Sequence, residues 1–479
     1  MKQNNCLIIL LATAAVLFHA CSIPAIATQK PEVILPDKFA QTADDAPNAA
    51  AAQLNWHQFF ADSTLTTLID TALLNNQELD ILLQHISIAQ NEILSRKGEY
   101  RPFVTAGTGA EVEKVGEFTR NGAVEKNLPI SDGKAFPEWL GNLQLGLFSS
   151  WELDVWHKLR NNQKIAFTEY LASIEGRNFM ITKLVAEIAN SYFELIALDN
   201  QLQNLENNIQ IQQNALEVVR LLQQAGRVNM LAVRRFEAEV QKNKSRAYDF
   251  RQQITALENQ VNFLAGRTPQ PIPRQSNNFL DRNPDVVETG IPSQLLANRP
   301  DIRQAELEMT ASDLNIKVAK ANFLPSFGIK AGIGYQAFNP KFLLQTPQSM
   351  VFSLAGDAMA PLVNRSAIIA EYKNANARQI TAAYEYEQRV LNAYQEVATQ
   401  LSNLDNLANK YQLKAQQVQS LTESIEISNQ LFQSARADYM EVLLTQRDAL
   451  EAREELIETK KAQMNAMVNL YRALGGGWQ

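Results

Sequence analysis

Two carboxylates two residues apart, Glu152 and Asp154, stand in the run Gly146-Leu147-Phe148-Ser149-Ser150-Trp151-Glu152-Leu153-Asp154-Val155-Trp156-His157-Lys158-Leu159-Arg160. Paired carboxylates can divide general acid and general base work between them. That chemistry needs a nucleophile, a further base or a pocket pattern, and none accompanies this pair. The two carboxylates therefore read as structural, at a strand-to-helix junction. The four histidines (His19, His57, His85 and His157) share no ligand spacing, which argues against a zinc enzyme. Both cysteines, Cys6 and Cys21, fall in the first 21 residues. The body of the chain thus offers no disulfide, thiolate metal site or cysteine nucleophile. The expectation is a protein that is not an enzyme and uses no cofactor or metal.

The elements that position these residues follow from composition. Of 479 residues, 46% are hydrophobic and 20% charged, a composition that folds. The balance of 44 basic and 51 acidic residues gives a net charge of −7 without a basic block, so no nucleic acid is expected as partner. Only 19 glycines and 17 prolines interrupt the chain, which favours long elements. Twelve of those glycines fall in two windows, eight in 98–146 and four in 328–356. These windows are a different kind of structure.

At the N-terminus, Lys2 precedes an apolar run from Leu7 to Phe18. Such a run is too short to span about 30 Å of hydrocarbon as a helix and reads as a secretory signal. Ala20-Cys21 resembles the end of a bacterial lipoprotein signal, with Cys21 lipidated. Ala25-Ile26-Ala27 offers an ordinary cleavage site as the alternative. No other stretch is long and apolar enough for a membrane helix.

Leu195, Leu198, Leu202, Leu205, Ile209, Leu216 and Val219 recur at heptad-like spacing, and Leu401, Leu404, Ala408, Tyr411, Ala415, Val418 and Ile425 repeat the pattern. Met230 with Met440, and Leu264-Ala265-Gly266 with Leu474-Gly475-Gly476, suggest an internal repeat offset by 210 residues. Each copy reads as a long helix, a short break and a returning helix. In the first break, Gly226 can take the positive φ of a tight reversal. An outgoing limb over Glu187–Gln224 has 38 residues, or roughly 57 Å of helix.

In the glycine windows the period changes to two. Phe327, Ile329, Ala331, Ile333 and Tyr335 alternate with Ser326, Gly328, Lys330, Gly332 and Gly334; Val104, Ala106, Thr108, Ala110 and Val112 alternate with Thr105, Gly107, Gly109, Glu111 and Glu113. Leu143, Leu145 and Leu147 alternate likewise, and a less regular fourth strand lies near Met350–Ala360. Ten-residue segments of this kind suit outer-membrane strands, though a soluble sandwich gives the same pattern. The polar connections at 114–141 and 336–349 suit extracellular loops. Four strands cannot close a barrel, since small barrels need about eight. An open sheet in lipid leaves unpaired edge amides that cost several kcal/mol each. Copies must then associate: two would give eight strands and a filled interior, three would give twelve and a passage.

The signature 146–160 closely resembles that of the TolC-like outer-membrane efflux factors, especially their lipoprotein (NodT) branch. Asn298-Arg299-Pro300-Asp301-Ile302, Ala321-x-Phe323-Leu324-Pro325-Ser326, Pro361-Leu362-x-Asn364-Arg365 and Leu470-Tyr471-Arg472-Ala473-Leu474-Gly475-Gly476-Gly477-Trp478 extend the resemblance along nearly the whole chain. It implies a mainly α fold with a membrane β-barrel: a homotrimeric 12-stranded barrel, four strands per chain, continued by a long α-helical coiled-coil barrel. It further implies residence in the outer membrane of a Gram-negative bacterium, and passage of substrates from a periplasmic adaptor protein and an inner-membrane pump of the RND type. On this reading 1–20 is the signal peptide, 21–61 an extended segment, 62–102 and 300–322 the leading helices, 103–153 and 323–360 the membrane β-hairpins. The long helical hairpins are 154–266 and 361–474, with a linker at 267–299 and a tail at 475–479. The resemblance places a periplasmic gate at Asp438 and Glu441, with Arg436 beside them, and adaptor-contact tips at Gly226, Arg227, Val228 and Ala435. Two departures stand out: Ala435 replaces the family's usual tip glycine, and the acidic residue expected after the first tip falls near Ala232. The rival reading is a periplasmic adaptor lipoprotein, but adaptors carry one helical hairpin and this chain carries two.

Overall fold

In the computed structural model, residues 23–36, 38–39, 55–282, 291–363, 365–434 and 436–478 are described. The signal segment, the lipidation candidate Cys21, Asn364 and the tip residue Ala435 lie outside the described residues. In chain order the main elements are α1 (Ser63–Asn75), α2 (Gln77–Glu99), β1 (Phe103–Glu113), β2 (Leu140–Leu153), α3 (Lys158–Gln224) and α4 (Met230–Leu264). They are followed by α5 (Pro300–Ala321), β3 (Ser326–Ala337), β4 (Met350–Met359), α6 (Ser366–Gln433) and α7 (Tyr439–Ala473). The chain divides into two compact units. One comprises the described parts of Met1–Lys30, Ser87–Tyr170 and Leu307–Ala383; the other comprises those of Pro31–Ile86, Leu171–Glu306 and Tyr384–Gln479.

The first unit is built on a four-stranded antiparallel sheet in the order β1-β2-β3-β4. Directly opposed residues share a face, so the register tests whether the period-two patterns of separate strands agree. They do. Ala106, Leu147, Ile333 and Phe352 form one row, and Val104, Ser149, Ala331 and Leu354 the next. Leu147 is 51%, Ile333 55% and Phe352 81% exposed, a greasy surface that water would not tolerate. The opposite face carries the row Glu152, Gly328 and Asp357, the row Ser150, Lys330 and Ala355, and the pair Gln144 and Gln336. Lys330 and Asp357 form an ion pair on it at 2.9 Å. Gly146 and Gly334 face each other in the register. A Cβ on Gly334 would stand 2.3 Å from the Leu145 carbonyl oxygen, so the two central strands approach more closely than any side chain permits.

The connection between β1 and β2 is not a bare loop. Thr119 caps a short helix, Arg120–Asn127, through the Gly122 amide, and Pro129–Ser131 pairs with Lys134–Ala135. Where β2 gives way to helix, the expectation of a structural carboxylate is met by Asp154. Its side chain accepts the amides of Leu159 at 2.9 Å and Arg160 at 3.0 Å, closing the N-terminus of α3. Trp156 donates its indole N–H to the Pro325 carbonyl at 2.7 Å, tying this junction to the start of β3.

The second unit holds the two helical hairpins, α3–α4 from Leu171 and α6–α7 from Tyr384, the starts of α3 and α6 belonging to the first. Both returning helices have 35 residues, and Tyr439 begins α7 where Met230 begins α4. The repeat offset is therefore 209, not the 210 that matching Met230 to Met440 implies. The helix ends agree: the Arg267 amide meets the Asn262 carbonyl and the Gly476 amide meets the Tyr471 carbonyl, both at 3.0 Å. The first heptad seam is buried, from Leu195 and Leu205 at 0% to Ile209 at 8%, except at the half-buried Leu202. The second is only half-covered at Leu401, Leu404, Tyr411, Val418 and Ile425, and open at Ala408.

Residues 62–102, expected as one helix, divide at Asn76. Its side chain accepts the Leu79 amide and donates to the Leu264 carbonyl, so it starts α2 while capping the end of α4. Asp62 caps α1, accepts the phenol of Tyr192 at 3.0 Å and pairs with Arg282 at 3.1 Å. Burial, followed by the Asp62 carboxylate, pushes the Tyr192 phenol well above its usual range. The chain after α4 is strapped down: Ile272 and Phe279 are buried, and Arg274 grips Asp199 at 2.6 Å and Glu258 at 2.7 Å. Arg299, from the Asn-Arg-Pro-Asp motif, makes a two-pronged contact with Asp301 and donates to Glu396 and to the Ala473 carbonyl at the end of α7.

Candidate functional site

The two hairpin turns meet. Leu216, Val219, Ala232, Val233, Phe236 and Val240 form a small core, and Val228 from the first turn packs against it with Phe432, Tyr439 and Leu443 from the second. The Arg235 guanidinium also reaches the Met440 sulfur at 2.8 Å. In the first turn Gly226 has φ +71°. Its amide meets the Gln223 carbonyl at 3.0 Å and the Arg227 amide meets the Leu222 carbonyl at 2.9 Å. These two bonds satisfy the last carbonyls of α3 in the pattern that demands a left-handed residue at Gly226. The second turn repeats the longer bond, from the Arg436 amide to the Leu431 carbonyl at 2.8 Å.

The returning helices start differently. Asn229 caps α4 by accepting the Ala232 amide at 3.1 Å, whereas Asp438 caps α7 with no side-chain bond. The Asp438 carboxylate is exposed, as are Glu441 and Arg436. Asp438 and Glu441 are three residues apart and so project from one side of the first turn. The positive N-terminal end of α7 favours both negative charges there. Among the described residues, Arg436 makes no ion pair with either. Gly226 and Arg227 are exposed and Val228 is half-buried.

Sequence reasoning missed the polar ties along the first hairpin. Arg220 reaches Glu237 at 3.0 Å and Arg251 reaches Glu206 at 2.8 Å. The buried Asn243 donates to Gln212 at 2.9 Å. Each pair is centred within one residue of Val228 in the first turn, which is the signal that could have found them. Arg246 joins α4 to α7 through Glu454 at 2.8 Å.

A sheet with one apolar exposed face, one polar face and two open edges, joined in sequence to paired helical hairpins, defines a subunit of an outer-membrane channel. The chain belongs to the Outer membrane efflux protein family, which it matches over residues 68–267 and 291–476. It is 27% identical over 463 residues to the cation efflux system protein CusC of Escherichia coli O6:H1, spanning 94% of this chain and 95% of that one. The pyoverdine export outer membrane protein OpmQ of Pseudomonas aeruginosa is 26% identical over 431 residues, spanning 88% and 87%. The open-state outer membrane channel MtrE of Neisseria gonorrhoeae shares the fold, with a TM-score of 0.82 at 22% identity over 96% of this chain and 98% of that one. The protein is thus an efflux channel component of the outer membrane, mainly α with a membrane β-sheet of four strands. The family match decides against the adaptor reading.

Proposed function

We propose that three copies join edge to edge, β4 of one against β1 of the next, into a 12-stranded barrel continued by a helical barrel. The observation that carries this is the pair of unpaired edges on a sheet whose outer face is exposed and apolar. In lipid such edges must be closed, and four strands per chain make three copies the smallest assembly with an open bore. The half-covered second heptad seam on α6 supports it, because that seam has room for a helix from a neighbouring copy. The channel then receives cargo from a periplasmic adaptor and an inner-membrane pump of the RND type, and releases it outside the cell.

In this assembly Asp438 and Glu441, with Arg436, form the periplasmic gate. Threefold symmetry brings three copies of each near the axis, giving a negative constriction that holds cations and narrows the bore. Gly226, Arg227, Val228 and Ala435 contact the adaptor, and Cys21 carries the lipid anchor. A relative 24% identical over 453 residues, SilC of Salmonella typhimurium, is named a probable outer membrane lipoprotein, which supports the anchor. The test is the mass of the mature protein purified in detergent, by native mass spectrometry. Three chains per particle are expected; a monodisperse single chain would overturn the reading.

A further inference from the structure

Where the central strands end, a cleft of about 500 Å³ opens between the start of α3 and the end of α5. Arg160 and Lys164 line it from α3, Lys317 and Lys320 from α5, and no acidic residue lines it. Arg160 is partly engaged, 3.4 Å from Asp154 and stacked over the Tyr100 ring. Among the described residues, Lys164, Lys317 and Lys320 have no ion-pair partner. Lys164, Lys317 and Lys320 are exposed; like charges at helical spacing on both walls repel weakly, and an anion between them would turn that repulsion into attraction.

The cleft's position narrows what that anion is. Trp156 lines it three residues after β2 ends at Leu153, and Leu324 lines it two residues before β3 begins at Ser326. The strands end at the membrane's periplasmic boundary, because the polar helices that follow cannot enter hydrocarbon. A tryptophan 42% exposed, next to Val155 at 48%, suits that boundary. The cleft also lies below β2 and β3, the inner pair of the sheet. Joining copies through β1 and β4 would therefore leave it uncovered.

We propose that this cleft binds the phosphate of an anionic phospholipid headgroup, with Lys164, Lys317 and Lys320 as its cationic wall and Trp156 at the acyl boundary. The inference rests on the strands lying in a membrane, not on the number of copies. The test uses the full mature chain in detergent, with native mass spectrometry after exposure to micelles carrying phosphatidylglycerol or phosphatidylcholine. Wild type should retain phosphatidylglycerol in preference. The Lys164→Gln/Lys317→Gln/Lys320→Gln variant should retain it about 100-fold less, while a Lys134→Gln/Lys373→Gln/Lys410→Gln control keeps it. In a parallel arm at constant ionic strength, inorganic phosphate exchanged for chloride should leave retention unchanged; displacement of the lipid by phosphate there would overturn the lipid in favour of a free anion. For wild type alone, retention should fall steeply with added salt. Equal retention of the two lipids, or no response to salt, would overturn the proposal whether or not the triple variant folds. Because binding is counted per chain, its failure is distinguishable from failure of trimer assembly.

Discussion

Replacing Arg299 with alanine should weaken the second unit severely, and the structure gives the size. Arg299 is 7% exposed and its main partner, Asp301, 10%. Removing one partner of a buried ion pair leaves an uncompensated charge and costs about 3–5 kcal/mol. The Ala473 carbonyl also loses its donor, worth about 1 kcal/mol. Glu396 is 44% exposed, so its share is below about 1 kcal/mol. Asp301 sits in the first turn of α5, where the helix dipole returns about 0.3–1 kcal/mol. The net is about 4 kcal/mol, which should lower the thermal midpoint of the helical circular dichroism signal by roughly 5–10 °C in detergent. Arg299→Lys should recover less than half, because an ammonium cannot span both Asp301 oxygens. The double variant Arg299→Ala/Asp301→Ala should be no worse than Arg299→Ala alone, since it removes the stranded carboxylate as well. An Arg299→Ala midpoint within a degree of wild type, or a double variant whose loss equals the sum of the singles, would refute the reasoning.

Two further predictions concern charge. Asp438→Ala with Glu441→Ala should raise single-channel conductance or reduce cation block in planar bilayers, and unchanged conductance and block would remove both from the gate. Burial, opposed by Asp281, holds the Lys460 ammonium below the usual lysine value; it lies 4.0 Å from the Tyr411 ring centre and donates to the Arg282 carbonyl at 2.8 Å. Between its lowered folded value and the ordinary 10.5 the unfolded chain binds the extra proton, so wild-type stability should gain from rising pH in that window. Lys460→Met should lose that gain, as read by melting at a series of pH values, and an identical pH profile would contradict the assignment.

The strands were legible because one face meets lipid and the other does not, so the period of two survives in most rows of the register, with Phe148 and Val351 as exceptions on the polar face. The buried part of α3 before Glu187 was not. Ile165, Ala166, Ala172, Ile181, Leu184, Val185 and Ala186 are all buried there, and burial on several sides erases a single stripe. The repeat was legible but misaligned by one residue, because chemical identity at Met230 and Met440 outweighed the turn geometry that places Tyr439 opposite Met230. Asn76 could not be read as a break, since its reason is the Leu264 carbonyl 188 positions away in the chain. The same holds for Arg274, whose partners Asp199 and Glu258 belong to both limbs of the first hairpin. Among the tip residues only Gly226 was legible from its own chemistry, as the reversal between two helices; the roles of the others came from the resemblance alone.

The two turns separate what the fold needs from what a gate would use. Both returning helices begin at an Asx residue, Asn229 or Asp438, 209 positions apart. For capping alone the two are nearly interchangeable, since either side-chain oxygen can accept an amide. Asn229 does so, and its neutral side chain is then fully explained by local structure. Among the described residues the acidic side chain of Asp438 caps nothing and pairs with no cation, as is true of Glu441 one turn on, while the position equivalent to Glu441 after the first turn is the buried Ala232. The dipole of α7 favours each carboxylate by about 0.3–1 kcal/mol and their mutual repulsion returns about 0.2–0.5 kcal/mol, so folding accounts for little of that difference. The unequal chemistry on equal backbones is what supports assigning the second turn, and not the first, to the constriction.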